Sequence, residues 1–303
     1  MSVLLGLLAA ATYGSSDFLA GLVSRRLPPI VVTAAAQAIC LGVGLIAIVF
    51  YPGDGVSGRI LLWGAASGLG SAGGTFCLYR GLSGGEMSLV ATLSGLLTAI
   101  IPVVVGLATG DSLSAMAAIG IVVAIPAIGL VSWQPGEHAA GGSGAIWGIL
   151  AGLGFGSLFV GYDQAGSGAG AWPLVVAEAT ATLLTIGPAL LVLRRRREAR
   201  AGAAPAEATA ALGDPAAAAA VARDRRSVQM LLAAGVLAGI ANLSFVIATH
   251  HGELAVVAVL TALYPGFTVI LARIVLGERW STAQKLGLAT ALVATFPVSL
   301  GAA

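Results

Sequence analysis

The chain has 303 residues, of which 58% are hydrophobic and only 9% charged, with a formal net charge of +2. Its mean hydropathy of +0.97 excludes a soluble globular domain, in which about a quarter of residues are charged. The net charge itself says little; its distribution along the chain says more.

Ten apolar segments are long enough to cross a hydrocarbon core of about 30 Å. Span 1, near residues 3–24, has no basic residue ahead of its apolar run, which predicts a retained span rather than a cleaved signal peptide. It carries Gly6, Ala10, Tyr13, Gly14, Asp17 and Gly21 as one small and polar stripe at helical spacing. Span 2, near 29–50, contains Gln37 and Cys40. Span 3, near 59–79, contains Gly68-Leu69-Gly70-Ser71-Ala72-Gly73, then Cys77 and Tyr79. That run fits G-x-G-x-x-G but follows no strand, so close helix packing explains it better than a dinucleotide loop. The two cysteines lie in separate spans and suggest neither a disulfide nor a metal site.

Span 4, near 87–108, holds Ser94, Thr98 and Pro102, and span 5 covers about 113–133. Span 6, near 145–165, repeats the small-residue signature at Gly148, Gly152 and Gly156 and ends on Tyr162, Asp163 and Gln164. Aromatic residues such as Tyr79 and Tyr162 near span ends often anchor the membrane interface. Span 7, near 171–193, puts Glu178, Thr182 and Thr185 on one face. The stretch from Arg194 to Ser227 is Ala-rich with two prolines, and reads as a largely disordered insertion with a fluctuating helix over 216–222. Spans 8, 9 and 10 follow near 228–249, 254–276 and 282–301. Asn242 lies in span 8, and Tyr264-Pro265 interrupts span 9, freeing backbone carbonyls that could line a cavity. Too little chain remains for an extramembrane domain with its own core.

The two halves echo each other. Gly110-Asp111, Ser114, Gly120, Ala124, Ala127 and Ser132 reappear 167 positions later as Gly277-Glu278, Ser281, Gly287, Ala291, Ala294 and Ser299, with one conservative change. Gly85-Glu86 and Val90-Ala91 likewise match Gly252-Glu253 and Val257-Ala258. Earlier in each half the offset is 142, pairing Gly6, Ala9, Tyr13, Gly14 and Ser15 with Gly148, Ala151, Phe155, Gly156 and Ser157. The chain therefore reads as a duplicated five-span unit: an N-terminal repeat over 1–135 and a C-terminal repeat over 144–303, with the insertion at about 194–227 in the second. An odd number of spans turns the second copy upside down relative to the first, an arrangement common in secondary transporters. The expected fold is an all-α integral membrane protein of ten transmembrane helices in two inverted five-helix repeats.

Fourteen of the fifteen Lys and Arg fall after odd-numbered spans, with Arg59 alone on the opposite side. The positive-inside rule puts those turns in the cytoplasm and both termini outside a cytoplasmic membrane.

The ten-span plan, Tyr13-Gly14-Ser15-Ser16, Leu78-Tyr79-Arg80-Gly81-Leu82 and the pairs Gly110-Asp111 and Gly277-Glu278 resemble the EamA branch of the drug/metabolite transporter superfamily. The likeness covers the chain outside the insertion, although Asp17 stands where an apolar residue is expected. It implies export or import of a small metabolite, amino acid or drug, with spans 1–4 and 6–9 forming the pathway and spans 5 and 10 at the periphery.

A charge at the bilayer centre costs roughly 2.5–3.5 kcal/mol, so intramembrane acids are candidates for function. Counting from the outer face, Asp17 sits about 21 Å and Glu178 about 10 Å along their helices. They straddle the midplane, too far apart to pair directly. At that depth either carboxyl could take up and release protons and couple solute movement to a proton gradient. The competing reading is that Asp17 bonds a neighbouring helix and Glu178 snorkels outward. Tyr13, Gln37, Tyr79, Asn242 and Tyr264 complete the candidate substrate or proton-coupling set. Hydroxyls of Ser94, Thr98, Thr261 and Thr268 could face the same space, and helix packing is an equally good reading for each.

Histidines 138, 250 and 251 all fall in predicted turns, and His250-His251-Gly252-Glu253 is not a zinc-protease motif. No catalytic set, metal site, cofactor or ATP-binding motif is expected. A secondary active transporter working by alternating access is thus the leading expectation. The alternatives are a passive channel or lipid scramblase and, less well supported, an intramembrane enzyme. Expected partners are a small solute and membrane lipid, with a homodimer left open and no nucleic acid.

Overall fold

A computed structural model describes residues 1–83, 87–132, 143–202, 215–277 and 280–301. Those residues form eleven α-helices and one short 3₁₀ turn, Ser167–Ala169. The helices are α1 (Ser2–Ser24), α2 (Pro29–Phe50), α3 (Gly58–Ser83), α4 (Met87–Thr109), α5 (Ala115–Ser132), α6 (Ser143–Gln164), α7 (Trp172–Gly202), α8 (Pro215–Thr249), α9 (Leu254–Thr261), α10 (Tyr264–Leu276) and α11 (Thr282–Gly301). Eight segments are long and apolar enough to cross a membrane, with α9 and α10 together counting as one, and α5 is a shorter apolar helix. The remaining one, α3, falls short in hydropathy because seven of its 26 residues are glycine. The protein is a multi-pass membrane protein.

The prolines mark where the helices start and bend. Pro29 opens α2 at a position where its missing N–H costs nothing. Pro265 cannot donate to the carbonyl four residues back, and the ninth span breaks at Ala262 and Leu263 as its sequence predicts. α10 ends on Gly277 at φ +70°, the left-handed cap that glycine adopts without a steric penalty. Asp111 of the preceding half reaches across to accept a bond from the Ala255 N–H at 2.8 Å, capping α9.

Two sequence expectations are corrected. The supposed disordered insertion is helical at both ends, since α7 continues to Gly202 and α8 begins at Pro215. Alanine, arginine and glutamate are strong helix formers, and Pro215 supplies a good first residue. Residues 203–214, which lie between, are outside the described residues, as are Gly85-Glu86, His138, Glu278 and Arg279. Second, Tyr79 and Tyr162 are not interfacial anchors: they are 3% and 0% exposed. α3 runs a turn past Tyr79, and Tyr162 packs on Phe245 inside the bundle.

Packing follows the two sequence offsets. α3 against α6 corresponds to α8 against α1, and α4 against α6 corresponds to the α9–α10 span against α1. The pairs α2–α7, α4–α9 and α5–α11 map onto themselves. Single residues obey the same rule. Gly6 faces Leu260 and Val257, while Gly148, 142 later, faces Leu93 and Val90, each 167 earlier. Gly14 faces Thr268, and its counterpart Gly156 faces Ile101, the counterpart of Thr268.

Gly14 is the tightest of these approaches, because a Cβ there would fall on the Tyr264 carbonyl oxygen and the Phe267 side chain. Backbone cannot step aside as a side chain can. Gly14→Ala should therefore cost about 2–3 kcal/mol through overpacking. Gly21→Ala, whose Cβ would meet only Leu82 Cδ1 at 3.9 Å, should be neutral or slightly stabilising. Thermal melts of the two variants in detergent check the contrast.

Candidate functional site

A cavity of about 50 Å³ lies where α1, α2, α3, α4, α6, α8 and α10 meet, with room for roughly four waters. Its lining residues pair off at the two sequence offsets. Tyr13, Ser16 and Asp17 of α1 line it, and so do Phe155, Leu158 and Phe159 of α6, each 142 positions later. Ser71 and Thr75 of α3 are matched by Ala238 and Asn242 of α8, each 167 positions later. Both members of each of these sequence-related pairs therefore line the one cavity. Its two equivalent helices carry different chemistry, acid and hydroxyl on α1 and rings on α6.

Beside it runs a polar network. Tyr13 donates its phenol proton to Asn242 Oδ1 in a short bond. Asn242 Nδ2 donates to Glu178 Oε1 at 3.3 Å and to Cys40 Sγ at 3.4 Å. Ser71 Oγ lies 3.4 Å from the same carboxyl oxygen, and Gln37 Nε2 donates to Ser71 Oγ at 3.0 Å and to Thr75 Oγ1 at 3.4 Å. Glu178 is fully buried, and its Oε2 has no hydrogen bond among the described residues. Tyr264 closes another side, its hydroxyl 3.4 Å from Ser94 Oγ. Thr98 Oγ1 is buried at the cavity without a partner among the described residues.

A profile of the EamA-like transporter family matches residues 142–300, more than half of the chain. The chain belongs to the EamA-like transporter family. Members are transporters rather than enzymes, and a multi-pass bundle of apolar helices suits that membership. A solved structure titled only as the crystal structure of a protein is similar in fold, with a TM-score of 0.65 and 18% identity over 99% of this chain and 97% of the other. No curated protein matches the sequence.

In this EamA-like chain, six of the seven candidates from sequence line one cavity: Tyr13, Asp17, Gln37, Tyr79, Asn242 and Tyr264. The seventh, Glu178, stands behind that wall, bonded to Ser71 and Asn242. It does not snorkel outward. Asp17 and Glu178 share no direct bond, and Asp17 makes no hydrogen bond or ion pair with any described residue. Thr261 and Thr268 instead bond the α1 carbonyls of Gly6 and Gly14 at 3.5 and 3.0 Å, which are packing roles.

Sequence reasoning passed over Ser71, Thr75 and Cys40. The signal was present for the first two, because Ser67, Ser71, Thr75 and Tyr79 recur every fourth residue along one face of α3. Read as part of a glycine run, Ser71 was credited with packing alone.

On one face of the bundle, hydrogen bonds join the α2–α3 connection to the α6–α7 connection and to His250. The Asp54 N–H donates to Gly168 O at 2.9 Å, the Ala171 N–H to Tyr51 O at 2.9 Å, and Arg59 Nε to Gln164 O at 2.6 Å. The Tyr51 hydroxyl lies 2.6 Å from His250 Nδ1. Burial, helped by the neighbouring His251, holds the His250 imidazole below its usual pKa. These ties all lie on the face that carries both termini.

Proposed function

We propose that the chain is a secondary active transporter that moves a small metabolite, amino acid or drug-like solute across the cytoplasmic membrane by alternating access. The observation that carries this reading is the cavity, lined by residues at equivalent positions of the two copies. Two five-helix repeats, residues 1–135 and 144–303, inserted with opposite orientation, would share a midplane site and expose it to each side in turn. In this reading both termini are outside, so the tied face is the external gate and the cavity next opens to the cytoplasm. The solute and the surrounding lipid are its partners.

Asp17 and Glu178 are the groups that would exchange protons with the transported solute. Among the described residues neither is held in a salt bridge, and the network from Tyr13 through Asn242 to Glu178 links the cavity wall to a buried carboxyl. A group so placed feels the arrival of solute through its hydrogen-bond partners.

The test is accumulation. Purified protein in proteoliposomes with an imposed proton gradient should concentrate its solute above equilibrium and stop when a protonophore collapses the gradient. Flux that only ever dissipates a solute gradient would identify a channel or scramblase instead.

A further inference from the structure

The two equivalent walls of the cavity are chemically unlike, and that difference narrows the solute. Asp17 faces the cavity from α1, and the residue at its equivalent position on α6 is Phe159; Tyr13 is likewise answered by Phe155. We propose that the solute is an organic cation with an apolar or aromatic body, its ammonium or guanidinium group held by Asp17 and its body laid against Phe155 and Phe159. This rests on the transporter reading above.

Three observations support it. Among the described residues no Lys, Arg or His lines the cavity, and Asp17 has no hydrogen bond or ion pair. With no counter-charge beside it, the Asp17 carboxylate is free to pair with a positive group brought by the solute. Second, the fully buried Thr98 Oγ1 faces the same space without a partner and offers an acceptor for an N–H donor. Third, the opposite wall is built of rings, whose faces attract cations and whose area buries an apolar body. Tyr13 and Tyr264, with ring centroids 6.5 Å apart, extend that aromatic lining around the acid.

The same features disfavour other solutes. A carboxylic acid would meet Asp17 and Glu178 with no counter-cation, and a zwitterionic amino acid would place one of its two charges against nothing of opposite sign. Binding should therefore sort ring-bearing molecules by charge.

The experiment is equilibrium binding of radiolabelled phenyltrimethylammonium, a cation that cannot lose its charge, to the purified full-length protein in detergent. Phenylalanine and phenylacetate serve as competitors, sharing the ring but carrying a carboxylate. Saturable binding of the cation is expected, with no displacement by a tenfold excess of either competitor. Asp17→Asn should weaken binding about tenfold or more, and Phe159→Leu about threefold. Asp17→Glu should retain most of the affinity. If the Asn variant fails to fold, the order of the three ligands on the unaltered protein decides the matter.

Absence of saturable cation binding, displacement by phenylalanine or phenylacetate, or an unchanged affinity in Asp17→Asn overturns the proposal. Because binding is measured without a membrane gradient, it fails separately from the transport reading. Uphill movement of phenylalanine in proteoliposomes would leave the transporter and sink the cation. Asp17-dependent cation binding with no uphill movement would do the reverse.

Discussion

Glu178→Gln is expected to leave the protein folded and to abolish uphill transport, whereas Glu178→Ala should also lower its melting temperature. The amide of glutamine nearly matches the carboxyl in size, and its oxygen can still accept from Asn242 and Ser71, which approach Oε1 at 3.3 and 3.4 Å. What the amide cannot do is bind and release a proton. Accumulation ratios in proteoliposomes should fall to one in this variant. Alanine, by contrast, deletes the shared acceptor at a position with no solvent access. Asn242 would keep only Cys40 for its Nδ2, and Ser71 only Gln37. Unsatisfied buried donors cost about 1–3 kcal/mol. At roughly 2–4 °C per kcal/mol for a chain of this order, the melt should fall by about 5 °C. A Glu178→Gln protein that still accumulates solute like the parent would reduce Glu178 to a structural hub and remove it from the coupling scheme.

The parts of this fold that were legible in the sequence are those written in periodicity and in repetition. Span 2, expected at 29–50, is α2 at Pro29–Phe50, and span 10 is α11 at Thr282–Gly301. A membrane helix must satisfy its backbone internally, so an apolar run of the right length leaves few other outcomes. Even the break in the ninth span was readable, since a missing N–H at Pro265 is a local fact. The two described ends of the insertion are helical where its prolines suggest disorder, because the helix propensity of their alanines and arginines extends α7 to Gly202 and starts α8 at Pro215.

For the site, individual residues were easier to find than their relations. Asp17 and Glu178 stand out because charge inside a span is rare. That Tyr13 would meet Asn242, 229 residues away, or that Ser71 would join Glu178 to Gln37, depends on how helices from the two copies pack. The offsets of 142 and 167 contain part of that answer, since they pair Thr75 with Asn242 and Asp17 with Phe159 before any packing is known. They do not reveal that those pairs converge on one cavity.

The Asp54→Cys, Gly168→Cys double variant should form a disulfide on mild oxidation and stop transport, with activity restored by a reductant. Asp54 precedes α3 in the first half, and Gly168 precedes α7 in the second. Their backbones already touch through the Asp54 N–H to Gly168 O bond at 2.9 Å. A Cβ built at Gly168 would contact the Asp54 carboxyl, with Cγ 3.4 Å away. The Sγ of a cysteine at 54 would occupy the place of that Cγ, beside the Cβ of a cysteine at 168, as disulfide bonding requires. Both positions are exposed to reagents, and neither is a glycine held at positive φ. The native thiols Cys40 and Cys77 are buried inside the bundle, which keeps them from competing for the oxidant. If the two halves rock about the cavity, a covalent tie across this face holds it closed, and only exchange from the other side survives. Each single variant should transport like the parent, which separates the tie from the substitutions. A fully cross-linked protein that still accumulates solute would mean that Asp54 and Gly168 move as one body, and the external gate would have to lie elsewhere, at the Tyr51–His250 or Asp111–Ala255 contacts.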